Sequence, residues 1–140
     1  MHTHSRFATA WAQAGASFPA SARPTPTTSA APVPVTRALA ADEIQGDYEQ
    51  RTGDVIVEAF EGRGLDPLET PAALVASHGP FAWGVDVAQA VENAVALETV
   101  AELALYTLVL KAEASALDDD LLDRHFSRKH GPDAYYGQAR

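Results

Sequence analysis

The sequence predicts a domain of the α/β class from three observations. An apolar run over 72–76 (AALVA) precedes Ser-His-Gly-Pro, which fits a buried strand that ends at a turn. Apolar residues at helical spacing predict a long helix over 86–111, with glutamates mostly off its apolar face. Helical patterns also extend over 5–14 and 42–61. Because one strand cannot form a sheet, we expect the rest of the sheet to come from elsewhere.

The helix limits follow from residues that begin and end helices. Ser5 is a candidate N-cap for the first helix and Gly15 its stop, whereas Gly46 weakens the helix over 42–61. A last helix is predicted over 118–130, because its acidic start and basic end suit the helix dipole. The residues of the 42–61 helix that we expect to be buried are Ile44, Tyr48, Val55, Val57 and Phe60.

The whole chain is interpreted as one domain with an irregular loop inside it. Its 140 residues, 46% of them hydrophobic, suffice for a modest core. Residues 19–34 consist almost entirely of Pro, Thr, Ser and Ala and include five prolines, which excludes a helix or a central strand there.

The composition excludes several classes of protein. A net charge of -9 and a pI near 4.8 argue against a nucleic-acid partner, which needs a basic surface. The absence of cysteine excludes disulfides and thiolate metal sites. The most apolar stretch, 91–110, carries Glu92, Glu98 and Glu102, so we expect no membrane span. Residues 1–16 lack the apolar run of a secretory signal, and a soluble cytoplasmic protein is expected.

Three histidines form a candidate metal site. His2 and His4 are two residues apart, so on an extended segment they point to the same side. His78, at the predicted strand end, could complete a three-histidine set with an open position, as in catalytic zinc sites. The alternatives are a chance pair or an expression remnant for His2 and His4, and a plain turn residue for His78.

The other histidines and the terminal tyrosines have simpler interpretations. His125 and His130 are five residues apart and do not share a helix face, so they suit a role as cations at a helix end. Tyr135 and Tyr136 would by default be packing residues.

Several segments together carry a family resemblance that spans nearly the whole chain except 21–32. They are 2–6 (HTHSR), 11–15 (WAQAG), 34–37 (PVTR), 43–49 (EIQGDYE), 77–84 (SHGPFAWG), 93–98 (NAVALE), 121–126 (LLDRHF), 128–131 (RKHG) and 134–138 (AYYGQ). The chain resembles the C-terminal part of the L-ribulose-5-phosphate 4-epimerase family, among class II aldolase-like proteins. The ending is the most discriminating part, since related sugar-phosphate aldolases end differently.

The resemblance implies a three-layer α/β/α fold with a largely antiparallel sheet and a homotetramer with active sites between subunits. It implies retro-aldol cleavage and re-addition that interconverts L-ribulose 5-phosphate and D-xylulose 5-phosphate in arabinose catabolism. His2, His4 and His78 would bind one zinc ion per subunit, a Lewis acid for the charge that develops on substrate oxygens. Tyr136 would be an acid/base group that reaches a neighbour's site, with His125 supporting it.

Two departures from the family suggest a truncated and impaired enzyme. Family members carry an N-terminal portion before the His-x-His strand. Where the family has an acid/base Asp, counting back from Pro34 gives Thr27, whose hydroxyl cannot cycle a proton near neutral pH. Compensating frameshifts across 21–32 are one hypothesis for this segment. The alternatives are a class II sugar-phosphate aldolase and a non-catalytic zinc-binding remnant.

Overall fold

The computed structural model describes residues 1–18, 32–113 and 120. Within these residues the chain forms four helices and a two-stranded sheet. In chain order the elements are α1 (Arg6–Ala14), α2 (Ala41–Gln45), α3 (Tyr48–Glu61), β1 (Ala72–Val75), β2 (Gly79–Ala82) and α4 (Val87–Leu110).

β1 and β2 form an antiparallel hairpin in which Leu74 lies opposite Pro80. The prediction of a turn at Ser-His-Gly-Pro is therefore wrong in its second half, because the turn ends at His78 and β2 begins at Gly79. Ser77 makes this tight turn possible by adopting a left-handed backbone, with φ of 60°. The strand predicted over 72–76 is confirmed as β1.

Two extended segments widen this small sheet without forming strands of their own. His2 bridges Phe81 in antiparallel fashion, and Val35 bridges Leu74 in parallel fashion. Backbone hydrogen bonds fix both segments, for example from Ala82 N to the carbonyl oxygen of Met1 at 2.9 Å. The N-terminal histidine segment thus lies directly beside β2.

Helices α1 and α4 pack together on one face of the hairpin. Leu97, Ala101 and Ala104 of α4 are buried there, whereas Leu105 is 39% exposed. The Trp11 indole nitrogen donates to the carbonyl oxygen of Ala101 at 2.9 Å, which ties the two helices together. The buried cluster comprises Ala8, Ala12, Phe18, Ala72, Leu74, Ala82, Leu97, Ala101 and Ala104.

The helix predicted over 42–61 is divided into α2 and α3 at Gly46, whose backbone is neither helical nor extended (φ −95°, ψ −132°). Val55 and Phe60 are buried as expected, but Ile44 and Val57 are each 55% exposed. Val57 follows Val55 by about 200° around the helix, so one buried face cannot hold both. Ile44 belongs to the separate helix α2, which has no buried residue.

By length and composition alone, α4 is the one helix in the described part of the chain that could cross a membrane. This differs from the expectation that the glutamates exclude a span. The observation is weak evidence for a span, because core helices pass the same test. One side of α4 packs against α1 and the hairpin.

Some predictions concern parts of the chain outside the described residues. These are the helix over 118–130, most of the irregular loop (19–31) with Thr27, and the site residues His125 and Tyr136.

Candidate metal centre

The structure brings together the three histidines that the sequence singled out. His2 lies on the extended segment beside β2, His4 follows it, and His78 ends the turn before β2. Each imidazole ring offers one nitrogen atom to the cluster, and these three nitrogen atoms all lie within 4.8 Å of one another. Tetrahedral coordination of zinc by imidazole nitrogens requires separations of about 3.3 Å, given bond lengths of about 2.0–2.1 Å. Small side-chain movements would therefore close the cluster around an ion.

Hydrogen bonds leave the Nε2 atoms of two of these rings available. The Nδ1 atom of His2 lies 3.0 Å from the carbonyl oxygen of Pro80. Because a carbonyl oxygen only accepts, Nδ1 carries the hydrogen and Nε2 keeps its lone pair. The Nδ1 atom of His78 lies 3.1 Å from the Tyr48 hydroxyl, and when this oxygen accepts the Nδ1 hydrogen, Nε2 is left for a ligand. Metal-binding histidines normally use their second nitrogen in this way.

Gly79 allows β2 to approach the histidine segment closely. A Cβ atom at this position would lie 3.1 Å from the carbonyl oxygen of Thr3, 3.3 Å from a ring carbon of His2 and 3.4 Å from one of His4. The first two separations are tighter than ordinary van der Waals contacts, and the third is at the limit. A larger residue would therefore require the His2 ring and the Thr3 carbonyl to shift.

The surroundings of His78 favour its uncharged form. Burial lowers the pKa of His78 below its usual 6.5, and repulsion from His2 and His4 in their protonated forms lowers it further. Neutral imidazole is the form that binds metal ions.

Glu98 of α4 fixes the chain just after His4. Its carboxylate accepts hydrogen bonds from the backbone N–H groups of Phe7 and Ala8, each at 2.9 Å. Ser5 occupies the N-cap position as predicted, but its side chain makes no capping bond to the helix backbone. Burial raises the pKa of Glu98, but bonds from these N–H groups, from the Ser5 side chain and from the Arg6 N–H outweigh it and lower the pKa below 4.5.

The hairpin turn is held by the other end of α1. The N–H of Ser77 donates to the carbonyl oxygen of Ala12 at 2.9 Å, next to His78. Since α1 begins two residues after His4 and ends against this turn, one helix sets the spacing between the two histidine-bearing segments.

The donor set suits a transition metal, because three neutral imidazoles favour zinc and its neighbours over magnesium or calcium. Sequence reasoning found all three histidines but missed Tyr48 and Glu98. Tyr48 was taken for a core residue, although it lies in the motif 43–49. Glu98 was noted for its charge and lies in the motif 93–98, but the sequence assigns it no role in the site.

Comparison with known proteins places these residues in a family context. Residues 1–105 match the model of the Class II Aldolase and Adducin N-terminal domain. The chain is 48% identical over 138 residues to proteins named L-ribulose-5-phosphate 4-epimerase UlaF from Salmonella paratyphi C (strain RKS4594), Salmonella choleraesuis (strain SC-B67) and Salmonella typhi. The alignments cover 99% of this chain and 60% of each relative, so the chain spans less than two thirds of their length.

Proposed function

Since the chain belongs to the class II aldolase and adducin N-terminal domain family, we propose that it is part of an L-ribulose-5-phosphate 4-epimerase. The reaction would break and re-form a carbon–carbon bond of L-ribulose 5-phosphate to give D-xylulose 5-phosphate. The observation that carries this proposal is the convergence of His2, His4 and His78 within 4.8 Å, in a chain whose relatives bear that enzyme's name.

In this proposal the three histidines hold one zinc ion. When bound, zinc supplies a Lewis acid for the negative charge that develops on substrate oxygens. The Pro80 carbonyl holds the His2 ring and the Tyr48 hydroxyl holds the His78 ring, so that their Nε2 atoms remain available. The lowered pKa of His78 favours its uncharged form, which is the form that binds a metal ion.

The remaining parts of the proposal rest on the sequence. Tyr136 would exchange a proton with the substrate, and His125 would support it. The substrate would be a small sugar phosphate, bound between subunits of a homotetramer in the cytoplasm. The small antiparallel sheet with its helices would be part of a three-layer α/β/α domain.

The metal centre is tested by titrating the purified 140-residue chain with zinc in competition with a chromophoric chelator. We expect one zinc ion per chain, and its loss in His78→Ala. His130→Ala removes a histidine that the sequence does not assign to the metal site and is the control. Equal zinc binding by all three proteins would refute the assignment of the site.

The reaction is tested by following L-ribulose 5-phosphate and D-xylulose 5-phosphate with the zinc-loaded chain. Because Thr27 stands where the family resemblance expects an acid/base Asp, we expect turnover to be undetectable, and Thr27→Asp to raise it. Accumulation of cleavage products without an epimer would instead favour an aldolase. Zinc binding without any turnover, in Thr27→Asp as well, would favour a non-catalytic remnant.

A further inference from the structure

Tyr48 is not a member of the histidine cluster, but its hydroxyl contacts it. Tyr48 is the first residue of α3, and its Oη atom lies 3.1 Å from Nδ1 of His78. The two ring centroids are 5.9 Å apart at 37°, so the rings are not stacked face to face. The contact between the two side chains is therefore mainly the hydrogen bond.

We infer that Tyr48 is a positioning residue, which holds the His78 ring in the orientation that directs Nε2 towards a metal ion and accepts the Nδ1 hydrogen of the metal-binding tautomer. The inference rests on the proposed metal centre. When Nε2 gives its lone pair to an ion, Nδ1 must carry the ring hydrogen. That N–H group then needs an acceptor, and the Tyr48 oxygen lies at the required distance.

The direction of this hydrogen bond depends on the ligand state of His78. A neutral imidazole without a metal has two tautomers, and a phenol can donate to one and accept from the other. Binding of an ion at Nε2 leaves only the arrangement in which Nδ1–H donates to the Tyr48 oxygen. Tyr48 thus holds the ring in either tautomer and can accept the Nδ1 hydrogen of the metal-binding one, and metal binding directs the phenol hydrogen away from His78.

The backbone holds Tyr48 in place for this role. Its N–H donates to the carbonyl oxygen of Gly46 at 3.0 Å, and its own carbonyl oxygen accepts from the buried Thr52 hydroxyl at 2.8 Å. The break between α2 and α3 therefore places Tyr48 at the start of a helix, with its backbone N–H and carbonyl groups both held by hydrogen bonds.

His78 has no other polar partner of this kind within the part of the chain that the structure describes. Its ring otherwise meets His2, His4 and Phe81, with centroid distances of 4.5, 5.5 and 5.8 Å. None of these three rings stacks face to face on the His78 ring. The residue before His78, Ser77, has a positive φ. Without the Tyr48 hydroxyl the ring would lose its fixed rotation.

The first test compares zinc affinity in Tyr48→Phe and in Tyr106→Phe by chelator competition. Tyr106→Phe is a matched control, because its hydroxyl also makes a side-chain hydrogen bond, to Glu102 on α4, away from the cluster. We expect Tyr48→Phe to bind zinc about 10–100-fold more weakly, as is typical when the partner of a metal-binding histidine is removed. The control should bind as the unaltered chain does.

The second test needs no variant and therefore does not depend on folding. In the zinc-loaded chain labelled with nitrogen-15 histidine, NMR should show His78 bound to the ion through Nε2 and protonated at Nδ1. Coordination through Nδ1, or unchanged affinity in Tyr48→Phe, would overturn the role of Tyr48 while leaving the metal centre intact. Failure of the unaltered chain to bind zinc would overturn the metal centre, and the role of Tyr48 with it.

Discussion

Replacement of Glu98 by Ala should destabilise the fold more than any other exchange of a glutamate on α4. The carboxylate spans from α4 to the first turn of α1, where it accepts two backbone N–H bonds of 2.9 Å. Loss of an N-terminal cap costs about 0.5–2 kcal/mol, and each hydrogen bond to a charged group about 1.5–3 kcal/mol. Because Glu98 is only half-buried, water can replace part of the lost hydrogen bonding. We therefore expect the free energy of unfolding to fall by about 2 kcal/mol.

The assay is urea unfolding followed by circular dichroism, with midpoint and slope fitted separately. Glu92→Ala is the control, since Glu92 lies on the exposed side of the same helix and the same charge is lost. Exposed substitutions of this kind usually change stability by less than about 0.5 kcal/mol. If Glu98→Ala and Glu92→Ala unfolded at the same urea concentration, the carboxylate would not support α1 as the geometry indicates.

Three further predictions concern the same framework. Gly79→Ala should weaken zinc binding about tenfold in chelator competition, because its Cβ would lie 3.3 Å from the His2 ring; unchanged affinity would contradict this. Because the pKa of Glu98 is lowered in the folded chain, its contribution to stability is present above pH 4.5 and is lost as the pH falls through that lowered pKa. Glu98→Gln should therefore flatten the acid side of a stability–pH curve, and a curve parallel to that of the unaltered chain would argue against it. Trp11→Phe removes the hydrogen bond from the indole nitrogen to the carbonyl oxygen of Ala101 and should lower the free energy of unfolding in urea by about 1 kcal/mol. An unchanged free energy of unfolding would contradict this prediction.

Local signals in the sequence were sufficient for α1 and α4, because a glycine stop and a regular apolar spacing are properties of a single segment. The second strand was not predicted, because Gly79 and Pro80 are typical turn residues. Their use in β2 depends on neighbours that the sequence does not reveal. Gly79 provides close approach to the histidine segment, and the Pro80 carbonyl accepts a hydrogen bond from the N–H of Thr3.

The residues of the candidate site also fall into those that local sequence signals predict and those that they do not. The His2 and His4 pair was predictable, because two residues on an extended segment share a side whatever surrounds them. The contacts of Tyr48 and Glu98 were not, because they join residues 30 and 90 or more positions apart. Such contacts arise only when the helices pack on the hairpin, so no local pattern contains them.

Two separate supports for the ligands lead to a last prediction. Glu98 fixes the chain that follows His4, whereas Tyr48 fixes the ring of His78, and the two side chains share no hydrogen-bond partner. Changes without shared partners usually add in free energy to within about 0.5 kcal/mol. The losses of zinc affinity in Glu98→Gln and Tyr48→Phe should therefore add in the double variant. A double variant that binds zinc no more weakly than Tyr48→Phe alone would mean that both residues act through one common movement, and that the two sides of the site are not held independently.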